Sequence, residues 1–172
     1  LVIDDDRSMR SALASVLKEH RFQVLEAAGG SAAIEICSRE KPSAILLDLM
    51  MPEMSGMEVL ERLKPLCEDV PIIVISGHAD IPAAVATMKL GAYDFVVKPP
   101  DIERLLVLLQ HAIEKSDLAR ELKRLHAAAS TSLEWLLGRS GRMKGIIQQI
   151  QQVARTDFTV VLEGETGVGK SF

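Results

Sequence analysis

The sequence predicts an α/β fold: a doubly wound, five-stranded parallel sheet, followed by a helical connector and the start of a second, truncated segment. Three observations predict it. Short apolar runs alternate with longer stretches of helical spacing, the pattern of a parallel sheet covered by helices. The composition is 48% hydrophobic but only 3% aromatic, so the core must be aliphatic, as expected of strands buried on both faces. Four of the five runs lead into a polar or charged residue, at the edge where open parallel sheets hold their ligands. A chain of 172 residues allows one well-buried domain and a remainder.

The first apolar run, Leu1–Ile3, leads into Asp4, Asp5 and Asp6. Asp6 reads as the N-cap of a helix whose apolar positions are Met9, Leu13, Val16 and Leu17. The second run is Phe22–Leu25, and the third, Ala44–Leu47, leads into Asp48. A helix carrying Met57, Leu60 and Leu63 follows. The fourth run, Ile72–Ile75, leads into Ser76, and the next helix carries Ala84, Val85, Met88 and Leu90. The fifth run, Tyr93–Val97, leads into Lys98 and Pro99. Right-handed crossovers place helices on both faces of such a sheet.

Each polar strand end has an ordinary reading by itself. An Asp after a strand is usually a cap or turn residue, Ser76 before Gly77 an ordinary turn, and a lone Lys a solvated charge. Together they put an acidic cluster, an Asp, a hydroxyl and a Lys at separate strand ends that the fold gathers at one edge, which coincidence does not supply. Asp4, Asp5 and Asp48 would crowd three carboxylates, and like charges that close call for a cation. An all-oxygen site suits a small, hard divalent ion, magnesium above all. A carboxylate left partly free can attack phosphorus. Lys98 adds a point charge and Ser76 a donor hydroxyl for the phosphoryl oxygens, and phosphoryl transfer needs little beyond such positioning.

Bulk properties exclude other classes. A formal net charge of −4 argues against a strong nucleic-acid binder, although Arg139, Arg142, Lys144, Arg155 and Lys170 make the end of the chain more basic than the part before about Lys115. Cys37 and Cys67 lack metal-type spacing and read as reduced thiols. His20, His78, His111 and His126 show no metal spacing either. No run is long and apolar enough to span a membrane, and no signal-peptide pattern is visible, so a cytoplasmic setting is expected. The first residue is Leu1 rather than Met, which reads as a piece of a longer chain.

After Asp101, a plausible N-cap, a helix is expected from Ile102 to about Leu125, with Leu118, Leu122 and Leu125 extending an apolar spacing suited to a second copy of the chain. Ala127–Ser132 is expected to break it. Ser140 could cap a further helix carrying Met143, Ile146, Ile147, Ile150 and Val153, before an apolar strand at Phe158–Leu162. The residues Gly164, Glu165, Thr166, Gly167, Val168, Gly169, Lys170 and Ser171 then form a P-loop pattern in its required place after a strand. Its backbone N–H groups would cradle phosphates, with Lys170 on the β/γ-phosphates and Ser171 on magnesium. No acidic strand end or water-activating residue follows within the 172 residues, so ATPase activity is expected only of a full-length protein.

The stretches Leu1–Asp6, Leu46–Gly56, Ser76–Asp80 and Gly91–Pro99 resemble, in order, the signatures of the response regulator receiver domain, with its flavodoxin-like sheet. The resemblance implies phosphorylation on Asp48 by a sensor histidine kinase, a magnesium site from Asp4, Asp5, Asp48 and the Met50 backbone carbonyl with Asp5 a direct ligand, a switch hydroxyl at Ser76, a switch aromatic at Phe95, and Lys98 before a cis Pro99. The order of receiver, connector helix and P-loop resembles the NtrC class of sigma-54-dependent activators. That implies a receiver over 1–116, a connector and dimerisation linker over 117–137, and the start of an AAA+ ATPase over 138–172. It further implies a homodimer through the fifth helix and connector, a higher oligomer in the full-length protein, ATP with magnesium there, and sigma-54 RNA polymerase and promoter DNA as partners. Three positions depart from the family pattern. Ser55 stands where Asp is frequent, Pro100 where an aromatic is common, and Phe95 lacks a tyrosine hydroxyl. The competing readings are a receiver joined to another P-loop module, and a magnesium-dependent aspartyl-phosphate phosphatase. The latter class commonly has a second Asp where this chain has Met50.

Overall fold

The computed structural model describes residues 1–77, 81–137, 141–153 and 161. Strands β1 (Val2–Ile3), β2 (Glu26–Ala27), β3 (Ile45–Asp48), β4 (Ile72–Ser76) and β5 (Asp94–Val97) alternate with helices α1 (Arg7–Glu19), α2 (Gly30–Arg39), α3 (Gly56–Leu66), α4 (Ile81–Lys89) and α5 (Ile102–Leu137). Helix α6 (Gly141–Val153) follows. The strands form one five-stranded sheet in the order β2-β1-β3-β4-β5, and every ladder is parallel. Strand order reverses between β1 and β3, which makes the space beyond their carboxyl ends the topological switch point.

The period-2 alternation of the strands divides the core in two. Ile3, Ile45, Leu47, Ile72 and Val74 face Val59, Leu60 and Leu63 of α3 and Ala33 and Cys37 of α2. Val2, Leu46, Ile73 and Ile75 face Leu13 and Leu17 of α1 and Leu105, Leu109 and Ala112 of α5. The aliphatic core expected from the composition is what fills both layers.

Local chemistry fixes where the helices begin. The Asp6 carboxylate accepts from Ser8 N (2.7 Å) and Met9 N (3.4 Å), capping α1 as expected. Asp101 accepts from Arg104 N at 3.2 Å at the start of α5. Ser55 caps α3 through a reciprocal capping box with Glu58, so the position that departs from the family pattern keeps a capping side chain. Gly56 lies against the end of β3: its N–H donates to Leu49 O at 2.9 Å. A Cβ there would sit 2.2 Å from Asp48 O and 2.5 Å from Leu49 Cα.

Three sequence expectations are corrected. The second strand is Glu26–Ala27, not Phe22–Leu25, because Glu26 and Ala27 are the residues in register with Val2 and Ile3; Phe22 and Val24 instead pack against the α1/α5 layer. Helix α4 buries Thr87, with Ala83 and Leu90 against the core, while Val85 and Met88 are exposed. Thr87 fits there because its hydroxyl donates to Ala84 O at 2.8 Å. Helix α5 continues through Ala127–Ser132 to Leu137; alanine is the strongest helix former, and no Gly or Pro interrupts the segment.

Residues Leu1–Arg120 make one compact unit and Glu121–Phe172 another. Leu118, Leu122 and Leu125 of α5 are exposed. The expected P-loop, Gly164–Ser171, lies outside the described residues, as do His78, Arg139, Ser140, Arg155 and, apart from exposed Val161, the strand expected over Phe158–Leu162. No helix among the described residues is long and apolar enough to cross a membrane.

Two expectations follow from the packing. Gly56→Ala forces backbone apart at the end of β3 and is expected to cost about 1–3 kcal/mol or more, read by chemical denaturation. Burial, reinforced by the neighbouring Cys67 thiol, pushes the Cys37 thiol up to about 12, so Cys37 stays unalkylated at pH 8 in the folded chain and reacts once the chain is unfolded in urea; equal labelling rates in both states would contradict this.

Candidate functional site

Four charged groups from three strand ends meet beyond the carboxyl edge of the sheet. Asp4 follows β1 and is buried, at 2% exposure. Its N–H donates to Ala27 O (3.2 Å), and its Oδ1 accepts from Asp6 N (2.9 Å). Asp48 is the last residue of β3, also buried, with Oδ1 accepting from Met50 N at 3.3 Å. Lys98, just past β5, reaches between the two carboxylates: its Nζ lies 2.7 Å from Asp4 Oδ2 and 2.9 Å from Asp48 Oδ2. Asp5 is exposed at the mouth, and one carboxylate oxygen from each of Asp4, Asp5 and Asp48 lies within 4.8 Å of the others.

The strand register explains the convergence. Asp48 pairs across the ladder with Ile75 and Ser76 with Val97, so the ends of β3, β4 and β5 stand side by side. Lys98 N donates to Ser76 O at 2.8 Å, and the Lys98–Pro99 peptide is cis, as the resemblance implied. Ser76 is buried at the end of β4. Met50 exposes its side chain on the loop after β3. Phe95 lies inside β5, paired with Val74, and packs half-buried against the α2/α3 layer rather than joining the charged cluster.

Burial of two carboxylates is costly unless both are paired, and the Lys98 ammonium pairs both. Burial by itself disfavours the charged lysine, but hydrogen bonds and charge attraction from Asp4 and Asp48 outweigh it and hold Lys98 above the ordinary lysine range. Three convergent carboxylate oxygens are the donor set a small, hard dication takes, so the residues present fit magnesium.

One residue beside this cluster was not among the candidates the sequence offers. Arg10 on α1 donates from Nη1 to Asp4 O at 2.6 Å. An arginine at the end of the first turn of an amphipathic helix has no distinctive signal, and only the loop geometry brings it to the acidic pair.

Residues 1–110 match the response regulator receiver domain family, and residues 136–172 match the sigma-54 interaction domain. The chain is 36% identical over 171 residues to the C4-dicarboxylate transport transcriptional regulatory protein DctD of Rhizobium meliloti, covering 98% of this chain and 37% of that protein. It is 30% identical over 172 residues to the regulatory protein AtoC of Escherichia coli, covering 99% and 37%. The chain therefore spans just over a third of the length of these relatives. The crystal structure of NtrX from Brucella abortus in complex with ATP superposes with a TM-score of 0.68 at 30% identity, covering 90% of this chain and 34% of that one.

Removing the shared cation tests the electrostatics. Lys98→Met leaves Asp4 and Asp48 unpaired and is expected to lower metal-free stability by roughly 2–4 kcal/mol. Because Lys98 is raised in the folded state, its contribution is fully present below the ordinary lysine value and fades as pH climbs through the folded one. The stability gap between wild type and variant therefore holds from neutral pH to about 10 and shrinks above it; a gap that grows with alkalinity would contradict the pairing.

Proposed function

Because the chain belongs to the response regulator receiver family and continues into a stretch matching the sigma-54 interaction domain, we propose that it accepts a phosphoryl group on Asp48 from a sensor histidine kinase and passes that signal to an AAA+ ATPase controlling sigma-54-dependent transcription. The observation that carries this reading is the Lys98 ammonium, within 2.9 Å of Asp48 and 2.7 Å of Asp4, in a cluster whose third carboxylate, Asp5, opens to solvent.

In this reading Asp4, Asp5, Asp48 and the Met50 carbonyl hold magnesium, with Asp5 a direct ligand. When bound, the ion neutralises charge that develops on the phosphoryl oxygens. An Asp48 carboxylate oxygen forms the new bond to phosphorus as the bond from phosphorus to the donor breaks. Lys98 stays at hand as a fixed positive charge for the transferred group. The Ser76 hydroxyl donates to a phosphoryl oxygen and draws its loop inward, and Phe95 repacks with it. Phosphorylation shifts such a two-state balance only by its differential interaction with the two states.

The division of the chain follows the same reading: a receiver over 1–116, a connector over 117–137, and the start of the ATPase over 138–172. The exposed Leu118, Leu122 and Leu125 of α5 suit pairing with a second copy through α5 and the connector. Gly164–Ser171 would bind ATP with magnesium in a full-length protein, where sigma-54 RNA polymerase and promoter DNA are the further partners and a larger oligomer the working form. The relatives' names, transcriptional regulators among them, support this extension.

Incubation with magnesium and a small acyl-phosphate donor, followed by intact-mass measurement, tests the central step. One phosphoryl adduct is expected, dependent on magnesium and lost in Asp48→Ala. An adduct that survives Asp48→Ala would overturn the assignment.

A further inference from the structure

Asp5 is the carboxylate that opens to solvent, yet the residue before it is held at every polar group. The N–H of Asp4 is bound by Ala27 O, its Oδ1 by Asp6 N and its Oδ2 by Lys98 Nζ. What closes the set is the Asp4 carbonyl, which belongs to the peptide plane carrying the Asp5 nitrogen. The orientation of that plane sets where the Asp5 Cα–Cβ bond points.

That carbonyl is the target of Arg10. Nη1 donates to Asp4 O at 2.6 Å and lies 3.5 Å from Asp5 O. The Arg10 side chain is little exposed, at 14%, and its Nε is 3.8 Å from Glu26 Oε2. Glu26 lies on β2, opposite Val2 in the sheet, and Lys18 of α1 reaches its other oxygen at 3.4 Å. Arg10 thus spans from an acidic residue on the neighbouring strand to the two carbonyls of the acidic pair. Hydrogen bonds from a charged donor are the strong kind, and the planar fork fixes direction as well as distance.

We infer that Arg10 is a positioning residue for the metal site: its guanidinium, braced by Glu26, locks the Asp4–Asp5 peptide so that the Asp5 carboxylate is presented beside Asp4 and Asp48. The inference rests on the magnesium-binding reading of the preceding section. Arg10 reaches the backbone carbonyls of the acidic pair, so its effect on the metal site would run through Asp5. A merely structural Arg10 would hold α1 to the sheet and leave metal affinity unchanged so long as the chain is folded.

The experiment is a calorimetric titration of magnesium into the metal-free chain, beside metal-free thermal melts, for wild type, Arg10→Met, Arg10→Lys and Leu109→Ala. Methionine keeps the aliphatic stem and removes the fork; lysine restores a cationic donor; Leu109→Ala destabilises the α1/α5 layer away from the site. Arg10→Met is expected to weaken magnesium binding about tenfold, as loss of a partner that orients a ligand commonly does, with Arg10→Lys recovering part of the loss and Leu109→Ala binding as wild type does. Magnesium affinity in Arg10→Met within twofold of wild type overturns the inference, and so does an equal loss in Leu109→Ala at matched thermal stability. If wild type itself binds no magnesium, the magnesium-binding reading fails first and takes this inference with it, an outcome distinct from both of the others.

Discussion

One ammonium group between two buried carboxylates governs the upper edge of this sheet. Lys98 lies 94 residues from Asp4, and neither Asp4 nor Asp48 could be buried at the ends of adjacent strands without a shared cation. Their mutual repulsion would otherwise open the switch point. The pairing draws three strand ends together and leaves Asp5, more exposed, as the site's mouth. Under the proposed function, the same arrangement that stabilises the metal-free fold would also hold the Asp48 carboxylate beside a fixed positive charge.

The rest of the unit can be understood as support for that edge. The order β2-β1-β3-β4-β5 sets β1 beside β3, so Asp4 and Asp48 are neighbours because of topology. Helix α3 begins at a glycine pressed onto the Asp48 carbonyl, and its capping box at Ser55 and Glu58 fixes the loop that holds Met50. Helix α1 begins at Asp6 and sends Arg10 back to the acidic pair. The Asp48 side chain is itself held, by Lys98 Nζ on one oxygen and Met50 N on the other, which is the kind of fixed geometry the proposed chemistry would need.

Much of this was legible in the sequence. A polar residue at the end of an apolar run survives any small error in strand boundaries, so Asp4, Asp48, Ser76 and Lys98 could be placed at one edge without knowing a single distance. Asp6 and Asp101 could be read as caps because capping is local. What could not be read depended on register or on neighbours far apart in sequence. Glu26 and Ala27 pair with β1 although Phe22–Leu25 has the stronger strand composition. Thr87 takes the buried face of α4 because its hydroxyl finds a carbonyl on its own helix, which no hydrophobic pattern reveals. Ala127–Ser132 lacks apolar spacing but opens on three alanines and holds no Gly or Pro, so the helix runs on through its Ser and Thr residues. Arg10 has no signal of its own until the loop it binds is seen.

We propose that the two carboxylates hold Lys98 in readiness for a group attached to Asp48. A crystal structure of the chain with magnesium and beryllofluoride, a mimic of the attached phosphoryl group, tests it most directly. Beryllofluoride is expected on an Asp48 oxygen, with Lys98 Nζ contacting its fluorine after releasing Asp4 Oδ2. An adduct on Asp4 or Asp5, or an adduct on Asp48 with Lys98 still bound to Asp4 and away from the fluorine, would contradict it.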